Sequence, residues 1–179
     1  FHNDSCDIVG LCCLETAQSG GLSAVASSVA VYNAMLRSRP DLVKVLSQPF
    51  YADRRGEESE GQKPYYITPI FIWHKGRMFN RFNRTFIDSA QRFNEVPRLT
   101  KLQIEALDTV AAYCKDPVFR LDMKLERGDM QFVNNYCVLH SRTAYVDHGE
   151  QERKRHLLRL WLRTAAFASP TQAVLTRCG

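Results

Sequence analysis

Apolar residues in this chain come in short bursts, each cut off by turn-forming residues. CDIVGLCCLET at 6–16 runs into Ser19-Gly20-Gly21, a turn signal, and a second short apolar run, Leu22 to Ser27, follows at once and reads as the strand returning beside the first. Tyr65 to Trp73 is rich in β-branched and aromatic residues and meets His74-Lys75-Gly76, which reads as a hairpin turn into Arg77–Phe82. Phe119 to Leu125 alternates, Arg127-Gly128-Asp129 turns, and Gln131 to His140 offers one further strand. His156 to Leu162 (HLLRLWL) is the last strand signal. The strand and helix signals alternate too irregularly for a parallel α/β sheet, and no Gly-rich phosphate loop is present.

Helical spacing occurs three times. SVAVYNAMLRS from Ser28 carries one signal, and Pro40-Asp41 opens a shorter helix through Leu46. Thr100 and Gln103 form a capping-box pattern for a helix to about Cys114, with Leu102, Ala106, Leu107, Val110 and Cys114 on one face. Residues 54–63 are polar and read as a loop. The expected fold is mainly β with helices (α+β): a double-stranded β-helix, that is a jelly-roll or cupin-like barrel, with helices packed outside. The 179 residues suffice for one domain, placed at 1–165, with a tail at 166–179.

Composition narrows the function classes. No apolar run reaches the length of a membrane span, and the net charge of +5 is scattered, so neither membrane nor nucleic acid is expected as a partner. The six cysteines lack C-x-x-C spacing, which argues against a zinc knuckle and for reduced thiols in an intracellular, cytoplasmic setting. The chain opens without Met and its best motif starts at residue 2, so an N-terminally truncated sequence is expected.

That motif is His2-Asn3-Asp4. In a strand, side chains two apart share a face, so His2 and Asp4 would project together while Asn3 points away. One extended strand cannot close a three-ligand face, and His140, at the end of the apolar Tyr136–Leu139 run, is the best third ligand. Two imidazoles and one carboxylate on one face of a cation, with the other positions open, is the donor set of non-haem Fe(II) oxygenases. The period of two in the last strand puts Arg155, Leu157, Arg159 and Trp161 on one face, and His156, Leu158, Leu160 and Leu162 on the other, read as a buried outer face. Inward arginines are costly unless they meet anions, and a dicarboxylate cosubstrate would supply them. Four strand residues span roughly 13 Å, so Arg155 and Arg159 cannot share one carboxylate. Asn134 or Asn135 could orient a ligand, and Arg142 could enter the same cavity. Arg81 and Arg84 are candidates for an anionic substrate against a surface default.

Three stretches together, FHNDSCDIVGLCCLETAQSGGLSAVAS, RGDMQFVNNYCVLHSRTAYVD and RKRHLLRLWLR, resemble the catalytic part of the TauD/TfdA family of Fe(II)- and 2-oxoglutarate-dependent dioxygenases. The resemblance implies that His2, Asp4 and His140 ligate iron, that Arg155 binds the distal carboxylate of 2-oxoglutarate with help from Ser23, and that Arg159 meets an anionic group nearer the metal. It implies Fe(II), 2-oxoglutarate and O2 as cofactors and cosubstrates, and a small, possibly anionic substrate. Because Asp4 is present where halogenating relatives carry a small residue, hydroxylation is the expected outcome. Desaturation, dealkylation or isonitrile formation on the same fold, and a non-catalytic jelly-roll that only binds, are the alternatives.

Overall fold

The structure, a computed structural model, describes residues 1–164; the tail expected at 166–179 lies outside them. Twelve strands and four helices follow in the order β1 (Ile8–Glu15), β2 (Ser19–Gly20), β3 (Ser23–Ser27), α1 (Ser28–Ser38), α2 (Pro40–Leu46), β4 (Phe50–Asp53), β5 (Tyr65–Thr68), β6 (Phe71–His74), β7 (Arg77–Asn80), α3 (Arg84–Ala90), α4 (Lys101–Lys115), β8 (Arg120–Met123), β9 (Met130–Asn134), β10 (Val138–Arg142), β11 (Tyr145–Val146) and β12 (His156–Leu162). Two antiparallel three-stranded sheets, β12-β1-β9 and β10-β3-β8, carry the architecture, with pairs β11-β2, β4-β5 and β6-β7 around them. The fold is thus mixed strand and helix, as expected. Among the described residues no helix is long and apolar enough to cross a membrane.

Local chemistry accounts for the helices. Ser27, one residue ahead of the expected start, caps α1 by accepting from the Ala30 amide, and Pro40 opens α2 at a position where its missing N–H costs nothing. Thr100 and Gln103 close a reciprocal capping box on α4. Ala106, Leu107, Val110 and Cys114 of α4 are buried as the spacing predicts, whereas Leu102, in the first turn, is 43% exposed. The core joins α4 to Val31 and Met35 of α1 and to Leu42 and Leu46 of α2. Ala26 and Leu139 reach it from one face of the β10-β3-β8 sheet. The alternate residues of those strands, Ser23 and Val25 on β3 and His140 and Arg142 on β10, stand register-paired on the opposite face.

Several strand expectations are corrected. The run from Gln131 to His140 is two strands in different sheets, because Asn134 Oδ1 accepts from the Tyr136 amide and turns the chain. The run from Tyr65 to Trp73 breaks at Pro69, which cannot donate to a ladder. β3 does not return along β1; it lies between β10 and β8. The outer face of β12 is not buried: Leu158 is 49% and Leu160 57% exposed, since none of the described residues covers that face of the sheet. The expected turn at 74–76 is present, with Lys75 and Gly76 both at positive φ between β6 and β7.

Candidate metal centre

His2 lies outside any named strand. It makes one antiparallel bridge to His140, the two residues exchanging both backbone hydrogen bonds at 3.0 Å, and another to Asn83. The middle residue of the motif supplies the fixation that a strand would have given. Asn3 is buried; its Nδ2 donates to the carbonyls of Asn135 (2.7 Å) and Val138 (3.0 Å), and its Oδ1 accepts from the Phe82 amide (2.9 Å). Asn135 completes the clamp. Its Oδ1 accepts from the Asp4 amide and its Nδ2 donates to the carbonyls of Asp4 and Cys6, so it fixes the ligand's backbone and leaves the carboxylate free. Arg81 adds a bond from Nη1 to the Asp4 carbonyl at 2.8 Å.

The result is a convergence of side chains far apart in sequence. One ligand-capable atom each from His2, Asp4 and His140 lies within 4.8 Å of the others, the one such group of three among the described residues. Nε2 of His2 stands 3.6 Å from Oδ1 of Asp4, and Nε2 of His140 stands 3.6 Å from Oδ2. These gaps exceed a hydrogen bond. They come close to the separation of about 3 Å that neighbouring ligands adopt when each is about 2.1 Å from one ion. Nδ1 of His140 is buried without a partner, so Nε2 is the nitrogen this ring has to offer. Burial alone would push the Asp4 carboxyl up, but the facing imidazoles, His140 foremost, outweigh it and hold the group well below the usual carboxylate range. An ionised carboxylate beside two imidazoles fits a divalent iron.

Two cavities meet at this point. One, of about 700 Å³, opens between the two three-stranded sheets and is lined by His2, His140, Ser23, Gln131, Arg142, Arg155 and Arg159 among others. The other, of about 270 Å³, lies on the far side of Asp4; Arg81, Arg159 and Trp161 face it beside apolar walls from Phe50, Ile70 and Phe86. Gly21, at φ +70°, lets the Arg155 side chain lie against the backbone: a Cβ there would be 3.0 Å from Arg155 Nε. Tyr145 presents its ring to two guanidinium groups, Arg142 at 4.3 Å and Arg155 at 5.3 Å from its centroid. Arg159 reaches Asp4 Oδ2 only at 3.9 Å.

The Taurine catabolism dioxygenase TauD, TfdA family matches residues 1–161. This chain belongs to the TauD/TfdA family. It is 40% identical over 167 residues to an FR-33289 synthase of Streptomyces rubellomurinus, covering 90% of this chain and 48% of that protein. A taurine hydroxylase-like protein of Stachybotrys chartarum is 34% identical, with 89% and 41% covered. The chain spans about half the length of these curated relatives or less. Among solved structures, an asparagine oxygenase in complex with Fe(II), 3-hydroxyasparagine and succinate superposes with a TM-score of 0.69 at 19% identity, covering 91% of this chain and 49% of that one. PvcB, an Fe, alpha-ketoglutarate dependent oxygenase from an isonitrile synthetic pathway, gives 0.64 at 16% identity, with 92% and 57% covered. The TauD/TfdA fold is thereby shared.

Within this TauD/TfdA member, the structure brings His2, Asp4 and His140 together and sets Ser23, Arg155 and Arg159 around the larger cavity. It sends Arg84 elsewhere, into surface ion pairs with Asp88 and Asp108. Sequence reasoning assigned no role to Gln131, whose Oε1 accepts from Ser23 Oγ at 2.6 Å. Its alternation with Val133 on β9 was the available signal. It also gave no role to Trp161, though it placed that residue on the face with Arg159.

Proposed function

We propose that this chain carries the catalytic part of an Fe(II)- and 2-oxoglutarate-dependent dioxygenase that hydroxylates an unactivated C–H bond of a small anionic substrate. The observation that carries the reading is the position of the two-imidazole, one-carboxylate cluster at the junction of two cavities of different chemistry. Iron and 2-oxoglutarate, when bound, supply O2 activation and the oxidising equivalents, the cosubstrate leaving as succinate and CO2. His2, Asp4 and His140 would hold the metal. Arg155, at the depth set by Gly21, would pair with the distal carboxylate through its planar fork. Ser23, tied to Gln131, would accompany it. Arg159 and Arg81 face the smaller cavity, where an anionic end of the substrate would offset their charge while Phe50, Ile70 and Phe86 exclude water from its body. The two sheets flanking the larger cavity support a double-stranded β-helix, and the free thiols support an intracellular setting.

Anaerobic titration with Fe(II) and 2-oxoglutarate, followed by succinate release over a panel of small anions, tests this. Alanine at His2, Asp4 or His140 is expected to weaken Fe(II) binding and to abolish substrate-dependent succinate formation. Wild-type protein that takes up neither metal nor 2-oxoglutarate would instead favour a binding module without catalysis. Product mass separates hydroxylation from desaturation, dealkylation and isonitrile formation.

A further inference from the structure

Trp161 stands opposite Val9 on the inward face of β12, two residues beyond Arg159, and its indole Nε1 donates to Oδ2 of Asp4 at 2.9 Å. Among the described residues this is the shortest polar contact of that carboxylate; the imidazoles are 3.6 Å away and Arg159 3.9 Å. Burial does not force it. The residue is 48% exposed, so water could satisfy the indole N–H, yet the donor is turned onto the carboxylate. The ring is steadied by the Arg159 guanidinium, 5.1 Å from its centroid.

A carboxylate can grip a cation through one oxygen or both, and the difference decides how many coordination positions remain. Three single-atom ligands leave three of six positions open. A chelating 2-oxo acid takes two and O2 needs the third. A two-oxygen grip by Asp4 would remove that last one. With one lone pair of Oδ2 taken by the indole, Oδ1, which faces His2, is the freer oxygen for a metal, although Oδ2 also faces His140. We propose that Trp161 is a positioning residue that fixes the orientation in which the Asp4 carboxylate meets the metal, favouring one-oxygen ligation. The proposal rests on the iron-binding reading above. Because Trp161 also borders the smaller cavity, a substrate seated there lies against the residue that orients the ligand.

Trp161→Phe keeps an aromatic ring and removes only the donor. Partners that orient a ligand are typically worth 10- to 100-fold in metal affinity. Anaerobic calorimetry with Fe(II) alone is expected to show a loss of about tenfold or more in Trp161→Phe. It should show no further loss when that change is added to Asp4→Ala, because the residue acts through that carboxylate. Equal Fe(II) affinity in wild type and Trp161→Phe, or an undiminished loss in the Asp4→Ala background, overturns the proposal. Wild type that binds no Fe(II) would instead overturn the reading beneath it. A measurement that does not depend on that variant folding uses the chain's two tryptophans. In metal-free Trp73→Phe, the remaining indole N–H resonance belongs to Trp161. It is expected to move and to exchange faster with water on Asp4→Ala, and an unmoved resonance overturns the proposal.

Discussion

Gly21→Ala offers a test of how backbone conformation reaches the cosubstrate site. The residue sits at φ +70°, where an L side chain costs about 1–2 kcal/mol. The added Cβ would lie 3.0 Å from Arg155 Nε and 3.3 Å from both Arg155 Cδ and Tyr145 Cβ. Ordinary carbon contacts settle at about 3.5–4.0 Å, so the guanidinium stem must retreat by about half an ångström. A charge-assisted hydrogen bond is worth about 1.5–3 kcal/mol. Displacing its donor by that distance forfeits about 1 kcal/mol, roughly fivefold in 2-oxoglutarate affinity. At this chain length the backbone cost lowers Tm by about 2–8 °C. Calorimetry with 2-oxoglutarate on metal-loaded protein and a thermal melt measure the two effects separately. Gly20→Ala is the contrast. Its Cβ would stand 2.2 Å from the Ala144 carbonyl oxygen, so the β2–β11 pair must part and the loss in Tm should exceed that of Gly21→Ala. A Gly21→Ala protein with lowered Tm and unchanged 2-oxoglutarate affinity would refute the placement of Arg155 as the carboxylate anchor.

Arg155→Ala should raise the 2-oxoglutarate requirement while leaving Fe(II) affinity unchanged, read by calorimetry with each in turn. Asn135→Ala strips partners from the Asp4 amide and from the Asp4 and Cys6 carbonyls. A loss of about 3 kcal/mol in urea unfolding is expected, together with weaker Fe(II) binding. Leu107, fully buried among α1, α2 and α4, should lose about 2–5 kcal/mol as alanine, by the same assay. Burial pushes the Cys6 and Cys114 thiols up to about 11 from an ordinary 9.0. The unfolded chain therefore releases these protons first, so stability present below pH 9 should fall as pH rises toward 11, and native thiol labelling at pH 8 should spare both residues.

What was legible in the sequence follows the range of the interaction responsible. Pro40 and the Thr100–Gln103 pair act within one turn, and α2 and α4 begin where they say. Asn83, which caps α3 by accepting from the Phe86 amide, was an equally local signal, but seven residues gave too little periodicity to draw attention to it. The breaks at Pro69 and Asn134 were also written locally, and were hidden inside apolar runs that read as continuous. Strand partners were not legible, because Ser23–Ser27 shows alternation but nothing that selects β10 and β8 over β1.

The site divides along the same line. Residue types and the one-residue gap marked His2 and Asp4, yet the strand invoked to align them is a single bridge. Asn3, read only as pointing away, does the aligning through three hydrogen bonds, two of them buried, to two distant segments. Gln131 and Trp161 depend on register across β1: Leu11 sets Gln131 level with Arg159, and Val9 sets Trp161 beside them. A one-residue slip of β12 would turn Arg159 and Trp161 outward and bring Leu158 and Leu160 to the carboxylate. The pairing of β1 with β12 therefore determines, as much as the ligands do, whether Asp4 meets an indole donor or an aliphatic wall.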